Sequence, residues 1–292
     1  MAIIGFLNGY YRTGTTIVWW ILQQSNPDIV ILYEPHSVGL YNEFRTLNPQ
    51  PDTVNPLHRL PIYKPYFMVE PEIKEEYHRN VRPKPVYTKE DFEDAVESIE
   101  MFDKSKKRIV IQSNQLHLIL NDIAEYFDCN YIHMVRDPAE ILYSHAESPS
   151  KLKAKIQQIL ITHLTNFMIS KWMNHGKTGK FEIRYTMSVA RKLGWINGGD
   201  LLEKFVKMYV NYNYHVLENL SKRGKIVRFE DLVRSEKLFR RVFQKLNLNV
   251  RSEFNTLDPK KAFKAPSRLK NKISKRLDSE TRRKLEVLGY EY

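Results

Sequence analysis

Short apolar blocks alternate with amphipathic stretches over most of the chain. Ile3 to Leu7 is an apolar run ending in Asn-Gly, and from Thr15 onward Ile17, Val18, Ile21 and Leu22 fall at helical spacing. The opening therefore predicts strand, loop, helix. A second strand is predicted over Ile29 to Tyr33. The alternation resumes with a strand at Arg108 to Ile111, a helix at Leu116 to Phe127, a strand at Tyr131 to Val135 and a helix starting near Pro138. Late in the chain, Asn197-Gly198-Gly199 leads into a helix over Leu201 to Leu220. A strand over Lys225 to Phe229 follows, then helices at Glu236 to Leu246 and Asp278 to Leu288. Strands that read as continuous apolar runs and alternate with helices predict an α/β fold, a three-layer sandwich with a central parallel sheet of four to five strands.

Two stretches depart from that rhythm. Between Pro35 and Lys89 the chain is crowded with aromatics and with Pro49, Pro51, Pro56, Pro61, Pro65, Pro71, Pro83 and Pro85. Little regular core structure is expected there, and a segment this long inside a compact domain reads as a substrate-side excursion, at about 35–89, from one domain spanning 1–292. From Leu152, the positions Ile156, Ile159, Leu160, Leu164, Phe167, Met168 and Trp172 recur at helical spacing. They predict a single long amphipathic helix packed on the core.

Composition narrows the classes. With 292 residues, 42% hydrophobic and 27% charged, the chain is long and apolar enough to fold around one substantial core, which excludes a disordered protein. A net charge of +12 favours a polyanionic ligand, whether nucleotide, nucleic acid, acidic glycan or membrane surface, and charge alone does not choose among them. One cysteine, Cys129, excludes an intramolecular disulfide and fits a reducing compartment. It is expected as a small buried apolar residue. The apolar N-terminal stretch lacks a basic region before it and is interrupted by Asn8 and Arg12, so no signal peptide or membrane span is expected and the chain is read as cytoplasmic.

Chemistry enters with Gly9-Tyr10-Tyr11-Arg12-Thr13-Gly14-Thr15-Thr16, which has the glycine spacing of a nucleotide P-loop between a strand and a helix. Backbone N–H groups at the helix start would cradle a phosphate, with the positive end of the helix dipole behind them. Thr15 stands where an NTP-hydrolysing loop needs Lys.

The run Arg12-Thr13-Gly14-Thr15-Thr16 resembles the 5′-phosphosulfate loop of sulfotransferases that use 3′-phosphoadenosine-5′-phosphosulfate (PAPS). Val135-Arg136-Asp137-Pro138, with Ser144 eight residues after Arg136, is similar to that family's 3′-phosphate motif, an Arg at a strand end and a Ser on the following helix. A third segment, Ile226-Val227-Arg228-Phe229-Glu230-Asp231-Leu232, resembles a late structural element of the same family, as does the ending Leu288-Gly289-Tyr290. The resemblance implies a P-loop NTPase-like sulfotransferase fold, with PAPS as co-substrate, the desulfated nucleotide adenosine 3′,5′-bisphosphate (PAP) as product, and no metal. It implies nucleotide binding by Tyr11, Arg12, Thr13, Gly14, Thr15, Thr16, Arg136 and Ser144. Between Lys260 and Arg276 lie eight basic residues and no acidic one. Such a run is ordinarily a solvated face or a nucleic-acid patch. In the family a basic loop here closes over the 3′-phosphate, usually with a Gly-rich signature that this chain lacks, and Lys264, Ser267 and Arg268 are the candidates for that role.

Sulfuryl transfer needs an aligned acceptor, stabilisation of charge on the leaving phosphate oxygen, and a base for the acceptor proton. Arg12 is the candidate for the leaving oxygen, acting electrostatically because a guanidinium does not readily give up a proton. Cytosolic small-molecule sulfotransferases place a catalytic His where this chain has Asn114, and a Lys where it has Gln112. Tyr33-Glu34-Pro35-His36 instead resembles the Glu-Pro element of carbohydrate sulfotransferases, which makes Glu34 the first candidate base and His36 the second. A carboxylate in that role must be desolvated to bring its pKa toward neutrality. The acceptor is a hydroxyl or amine that the sequence does not identify, with carbohydrate favoured by the Glu-Pro element and nucleic acid not expected. Two other readings stay open: a P-loop kinase or NTPase acting on nucleotides, and a non-catalytic polyanion-binding protein with this fold.

Overall fold

The computed structural model describes residues 1–55, 60–145, 151–174, 180–250 and 264–292. Within them, β1 (Ile3–Gly9), β2 (Ile29–Tyr33), β3 (Arg108–Ser113), β4 (Asn130–Val135) and β5 (Gly224–Arg228) form one sheet in the order β2-β3-β1-β4-β5. All four pairings are parallel. The inner strands are buried almost from end to end, whereas β5 at one edge is mostly half-buried. Strands without an alternating polar face require cover on both sides, and helices supply it. The α/β architecture with a five-stranded parallel sheet is thus as the apolar runs predict.

The helices are α1 (Thr15–Ser25), α2 (Val38–Leu47), α3 (Pro71–Asn80), α4 (Phe92–Asp103), α5 (Leu120–Tyr126), α6 (Pro138–His145) and α7 (Lys151–His163) in the first part of the chain. After them come α8 (Thr165–Asn174), α9 (Lys180–Lys192), α10 (Leu201–Glu218), α11 (Phe229–Arg234), α12 (Glu236–Phe243), α13 (Ser267–Ser274) and α14 (Ser279–Val287). Helix α5 begins at Leu120 rather than Leu116, because residues 116–119 form a turn in which Ile119 N–H reaches Leu116 O.

Two expectations are corrected. The Pro-rich excursion is not irregular: it holds α2 and α3 and a 3₁₀ turn over Lys64–Phe67, and its aromatics are core residues. Tyr63, Tyr66, Tyr77 and Tyr87 are fully buried, and each phenol finds a partner. Tyr66 OH donates to Tyr33 O (2.7 Å) and Tyr77 OH to Pro35 O (2.8 Å), so the excursion is riveted to the end of β2 by buried hydroxyls. Prolines mask the helical period here because they sit at first turns, as Pro71 does at the start of α3. The expected long helix after Leu152 is two, α7 and α8, and it carries two apolar stripes rather than one. Ile161, Met168, Ile169 and Trp172 face the core, while Ile156, Ile159, Leu164 and Phe167 are exposed. Cys129 is buried as expected, and burial pushes its thiol up to about 12.

Candidate active site

In a parallel sheet, ligands bind in the crevice beyond the carboxyl ends of the strands. Every candidate read from the front half of the sequence lies there except His36, which is packed against α4, and Ser144, which sits on α6. The loop after β1 turns back on itself: Thr13 N–H and Oγ1 both reach Tyr10 O, at 3.1 and 2.7 Å. Arg12 adopts a left-handed backbone conformation (φ 68°), which costs a non-glycine residue about 1–2 kcal/mol and is tolerated mainly where function needs it. Gly14 is also left-handed (φ 94°), and a Cβ there would lie 2.4 Å from the Phe229 ring, so only glycine fits. Gly14 caps α1 without a side-chain hydrogen bond, and the first turn of that helix holds no acidic residue. Its leading N–H groups and the positive end of its dipole are therefore presented to an anion.

The side chains of the loop divide into two sets. Tyr11 and Thr13 are buried and serve the protein: Tyr11 OH donates to Pro85 O (3.0 Å) and accepts from Gln115 Nε2 (3.2 Å), linking the loop to the excursion. Thr15 and Thr16 bond across to neighbouring strand ends. Thr15 Oγ1 donates to Asn114 Oδ1 (3.3 Å), and Thr16 Oγ1 shares a hydrogen bond with Tyr33 OH (2.9 Å).

Glu34 is the next link. Its N–H donates to Gln112 O (2.9 Å), extending the β2–β3 ladder by one residue, and the backbone then turns left-handed (φ 45°). This places its carboxylate against Asn114, whose Nδ2 donates to Glu34 Oε1 at 2.5 Å. The Asn114 carbonyl also accepts from Gln112 Nε2 (3.0 Å). One amide thus joins the loop after β1 to the carboxylate. Burial raises the Glu34 pKa to about 7, against the hydrogen bond from Tyr33 and the attraction of Arg12, which pull it down. His36 lies elsewhere: it is fully buried, its Nε2 is 2.8 Å from Ser98 Oγ on α4, and its ring stacks edge-on to Tyr87. Ser98 donates its own proton to Ala95 O, so His36 donates to Ser98. Burial lowers its pKa to about 3.

The second half of the candidate set gathers around Arg136, at the end of β4. Its Nη1 donates to Arg12 O (3.0 Å), its guanidinium lies 5.2 Å from the Phe229 ring centre, and Nη2 is 3.7 Å from the Glu140 carboxylate. The two motifs, more than a hundred residues apart in sequence, are thereby in direct contact. Ser144 sits on the second turn of α6, buried, with its hydroxyl donated to Ile141 O (2.9 Å). The carboxylate of Glu140 accepts the main-chain N–H groups of Lys264 and Ala265, each at 2.9 Å. The start of the C-terminal basic segment is thus anchored beside Arg136. Lys264, Ser267 and Arg268 are all exposed, and Ser267 and Arg268 lie in the first turn of α13 rather than in a loop. Residues 260–263 of the basic run lie outside the described residues. Glu230, in the third matching segment, accepts from Asp137 N–H (2.9 Å) and Tyr290 OH (3.0 Å), the internal structural role expected of it.

Tyr33 and Glu140 were not singled out by sequence. Both sit one residue or one helical turn from a recognised motif, and only the fold shows that they touch it. Among the described residues, no group of three or more His, Cys, Asp or Glu side chains is placed to hold a metal ion.

No protein-family model matches the chain. An uncharacterized protein of Archaeoglobus fulgidus is 28% identical over 255 residues, 80% of each chain. Among solved structures the chain is similar to the sulfotransferase domain from the curacin biosynthetic pathway, at 14% identity and a TM-score of 0.45, covering 100% of this chain and 99% of that one. It is similar to the sulfotransferase domain from the Synechococcus PCC 7002 olefin synthase at 13% identity and a TM-score of 0.46, covering 99% and 95%. Retinol dehydratase in complex with androsterone and inactive cofactor PAP matches at 13% identity and a TM-score of 0.27, covering 99% and 82%. At these distances the function has to be argued from the residues.

Proposed function

We propose that the protein is a sulfotransferase that moves a sulfuryl group from PAPS to a hydroxyl or amine acceptor and releases PAP. The observation that carries this reading is the hydrogen bond from Arg136 to the main chain of Arg12, which joins a 5′-phosphosulfate-type loop to a 3′-phosphate-type motif at the carboxyl ends of the neighbouring strands β1 and β4. A nucleotide phosphorylated at both the 3′ and 5′ positions needs two such anion sites side by side. A kinase or NTPase loop would need Lys at the position of Thr15, where Thr15 is instead bonded to Asn114.

Each residue has a task under this reading. The uncapped N–H groups at the start of α1, with Thr15 and Thr16, hold the 5′-phosphate. Arg136 and Ser144, with Lys264, Ser267 and Arg268 from the adjoining segment, serve the 3′-phosphate. As the acceptor oxygen or nitrogen bonds to sulfur and the sulfur–phosphate oxygen bond breaks, Arg12 offsets the charge left on that oxygen. Glu34 takes the acceptor proton: it needs the pKa near 7 that burial gives it, and Asn114 fixes its orientation. His36, buried and bonded to Ser98, is assigned no step. The Glu-Pro element makes a carbohydrate hydroxyl the first acceptor class to try.

Thermal melts with PAP, ADP and ATP-magnesium test the nucleotide. A rise selective for PAP is expected, and a magnesium-dependent preference for ATP would overturn the proposal. An acceptor screen with labelled PAPS tests the chemistry, and Arg12→Ala should lower turnover about 10²–10³-fold, the usual loss for one charge-stabilising donor. If PAP bound but no acceptor class were ever sulfated, a non-catalytic nucleotide-binding role would replace transfer.

A further inference from the structure

We propose that the face formed by α7 and α8, flanked by α13, docks on an anionic lipid surface. α7 and α8 meet at a bend at Leu164, where Leu164 N–H reaches Leu160 O and Met168 N–H reaches Leu164 O. Ile161, Thr165, Met168, Ile169 and Trp172 are buried on the inner side of the pair. Ile156, Ile159, Leu164 and Phe167 fall on the other, and they are 49%, 61%, 53% and 57% exposed. Isolated exposed apolar residues need no explanation, but four large ones aligned along a single outward stripe do.

Charge says what covers the stripe. From Ser148 to Phe181 the sequence has six basic residues and no acidic one, and from Pro259 to Leu277 it has eight and none. Set against a whole-chain net charge of +12, these two stretches hold the entire positive excess, and the remainder has none. The fold brings them together: Lys272 on α13 donates to Thr162 O (2.7 Å) and His163 O (2.9 Å) at the end of α7. Lys275, one turn beyond Lys272, is exposed. Lys155 and Lys171, exposed as well, stand at the two ends of the apolar stripe. Large aliphatic and aromatic side chains bordered by cations, with no carboxylate in either stretch, match the acyl-and-headgroup boundary of an anionic bilayer. A nucleic-acid backbone would use the lysines and leave Ile156, Ile159 and Leu164 without a partner. Among the described residues no helix is long and apolar enough to cross a membrane, so the contact is peripheral.

The test is co-sedimentation of the full chain with vesicles of phosphatidylcholine alone and of an equal mixture of phosphatidylcholine and phosphatidylglycerol. The protein should pellet with the mixed vesicles, weaken as salt rises, and stay in solution with the neutral ones. Ile159→Ser with Phe167→Ser should reduce binding about tenfold or more, and Lys155→Glu with Lys171→Glu should do the same, both without moving the melting temperature, because all four side chains are exposed. Failure to pellet with anionic vesicles at low salt overturns the proposal. So does binding that the double serine variant leaves unchanged. Retention of the protein by duplex DNA, dependent on the lysines and indifferent to the serine substitutions, would assign the face to nucleic acid instead. None of these readouts requires sulfuryl transfer.

Discussion

The guanidinium of Arg136 donates through Nη1 to the main-chain oxygen of Arg12, 3.0 Å away. The contact ties the end of β4 to the loop after β1 and steadies a residue held in a left-handed conformation. It also orients the fork, because Phe229 packs on one face of the guanidinium and Glu140 lies beyond Nη2. Lysine would keep the charge but lose the planar fork and its fixed direction. Arg136→Lys should therefore leave binding of adenosine 5′-monophosphate nearly unchanged and cut the preference for PAP over it by about tenfold or more, since a charge-assisted hydrogen bond to phosphate is worth about 1.5–3 kcal/mol. Titration calorimetry with the two nucleotides measures this, and an intact preference would remove Arg136 from 3′-phosphate recognition.

Glu34 should set the acid limb of the rate profile. Turnover is expected to rise with pH and level off above about 7, where the carboxylate is ionised. Glu34→Gln should cost about 10²–10⁴-fold and abolish that inflection. Stability moves the opposite way. A carboxylate whose folded pKa is raised contributes fully below its unfolded value of 4.5, and the contribution is lost as pH rises through 7. Glutamine does not ionise, so the variant should gain up to about 2–3 kcal/mol over the parent above pH 7, and nothing at pH 4. Urea melts at the two pH values read the difference directly. A variant as active as the parent, with the same pH profile, would mean the base lies elsewhere.

The sheet was legible because β1 to β4 are buried on both faces and so spell continuous apolar runs, and the strand–loop–helix turn after β1 was legible because glycine spacing is a local signal. What depends on three dimensions was not. Asn114 was visible only as a departure from one sulfotransferase pattern, and its bond to Glu34 joins residues eighty positions apart. His36 lies two residues from Glu34, yet the left-handed turn at Glu34 sends the two side chains to different surroundings. The excursion looked irregular because its core is built from tyrosines, whose hydroxyls become buried donors only when the fold supplies carbonyls such as Tyr33 O and Pro35 O. The two apolar stripes of α7 and α8 interleave along the sequence, so a single pattern of apolar residues did not show which stripe faced inward or that the helix breaks at Leu164.

Gly14 should tolerate no side chain. An alanine Cβ would press on the Phe229 ring at 2.4 Å and would hold an unfavourable positive φ. Left-handed strain of about 1–2 kcal/mol and overpacking of about 1–3 kcal/mol give an expected loss of roughly 2–5 kcal/mol for Gly14→Ala in urea unfolding. Phe229→Leu in the same chain should recover the overpacking part and leave the backbone part, so the double-mutant cycle should show a favourable coupling of about 1 kcal/mol or more. Strict additivity would mean that the loop and the ring move apart independently.

Acid should unfold the protein well before its carboxylates are neutralised. Burial lowers His36 to about 3 and His133 to about 4, and holds His117 well below its usual range. A histidine whose folded pKa is depressed lends its stability above the unfolded value of 6.5 and loses it as pH falls toward the folded one. Near pH 5 the unfolded chain thus binds about two more protons than the folded chain through His36 and His133, with His117 adding in the same direction, offset by about one that the folded state holds on Glu34. The net of about one proton or more corresponds to a slope of at least roughly 1.4 kcal/mol per pH unit, stability falling as the solution is made more acid. Chemical denaturation at closely spaced pH values between 6 and 4.5 measures that slope. His36→Gln, which keeps a donor for Ser98 Oγ, should reduce it by about one proton, or roughly 1.4 kcal/mol per pH unit. A flat profile over this range would show that the three rings titrate as exposed imidazoles do, and that the buried network around them opens to water.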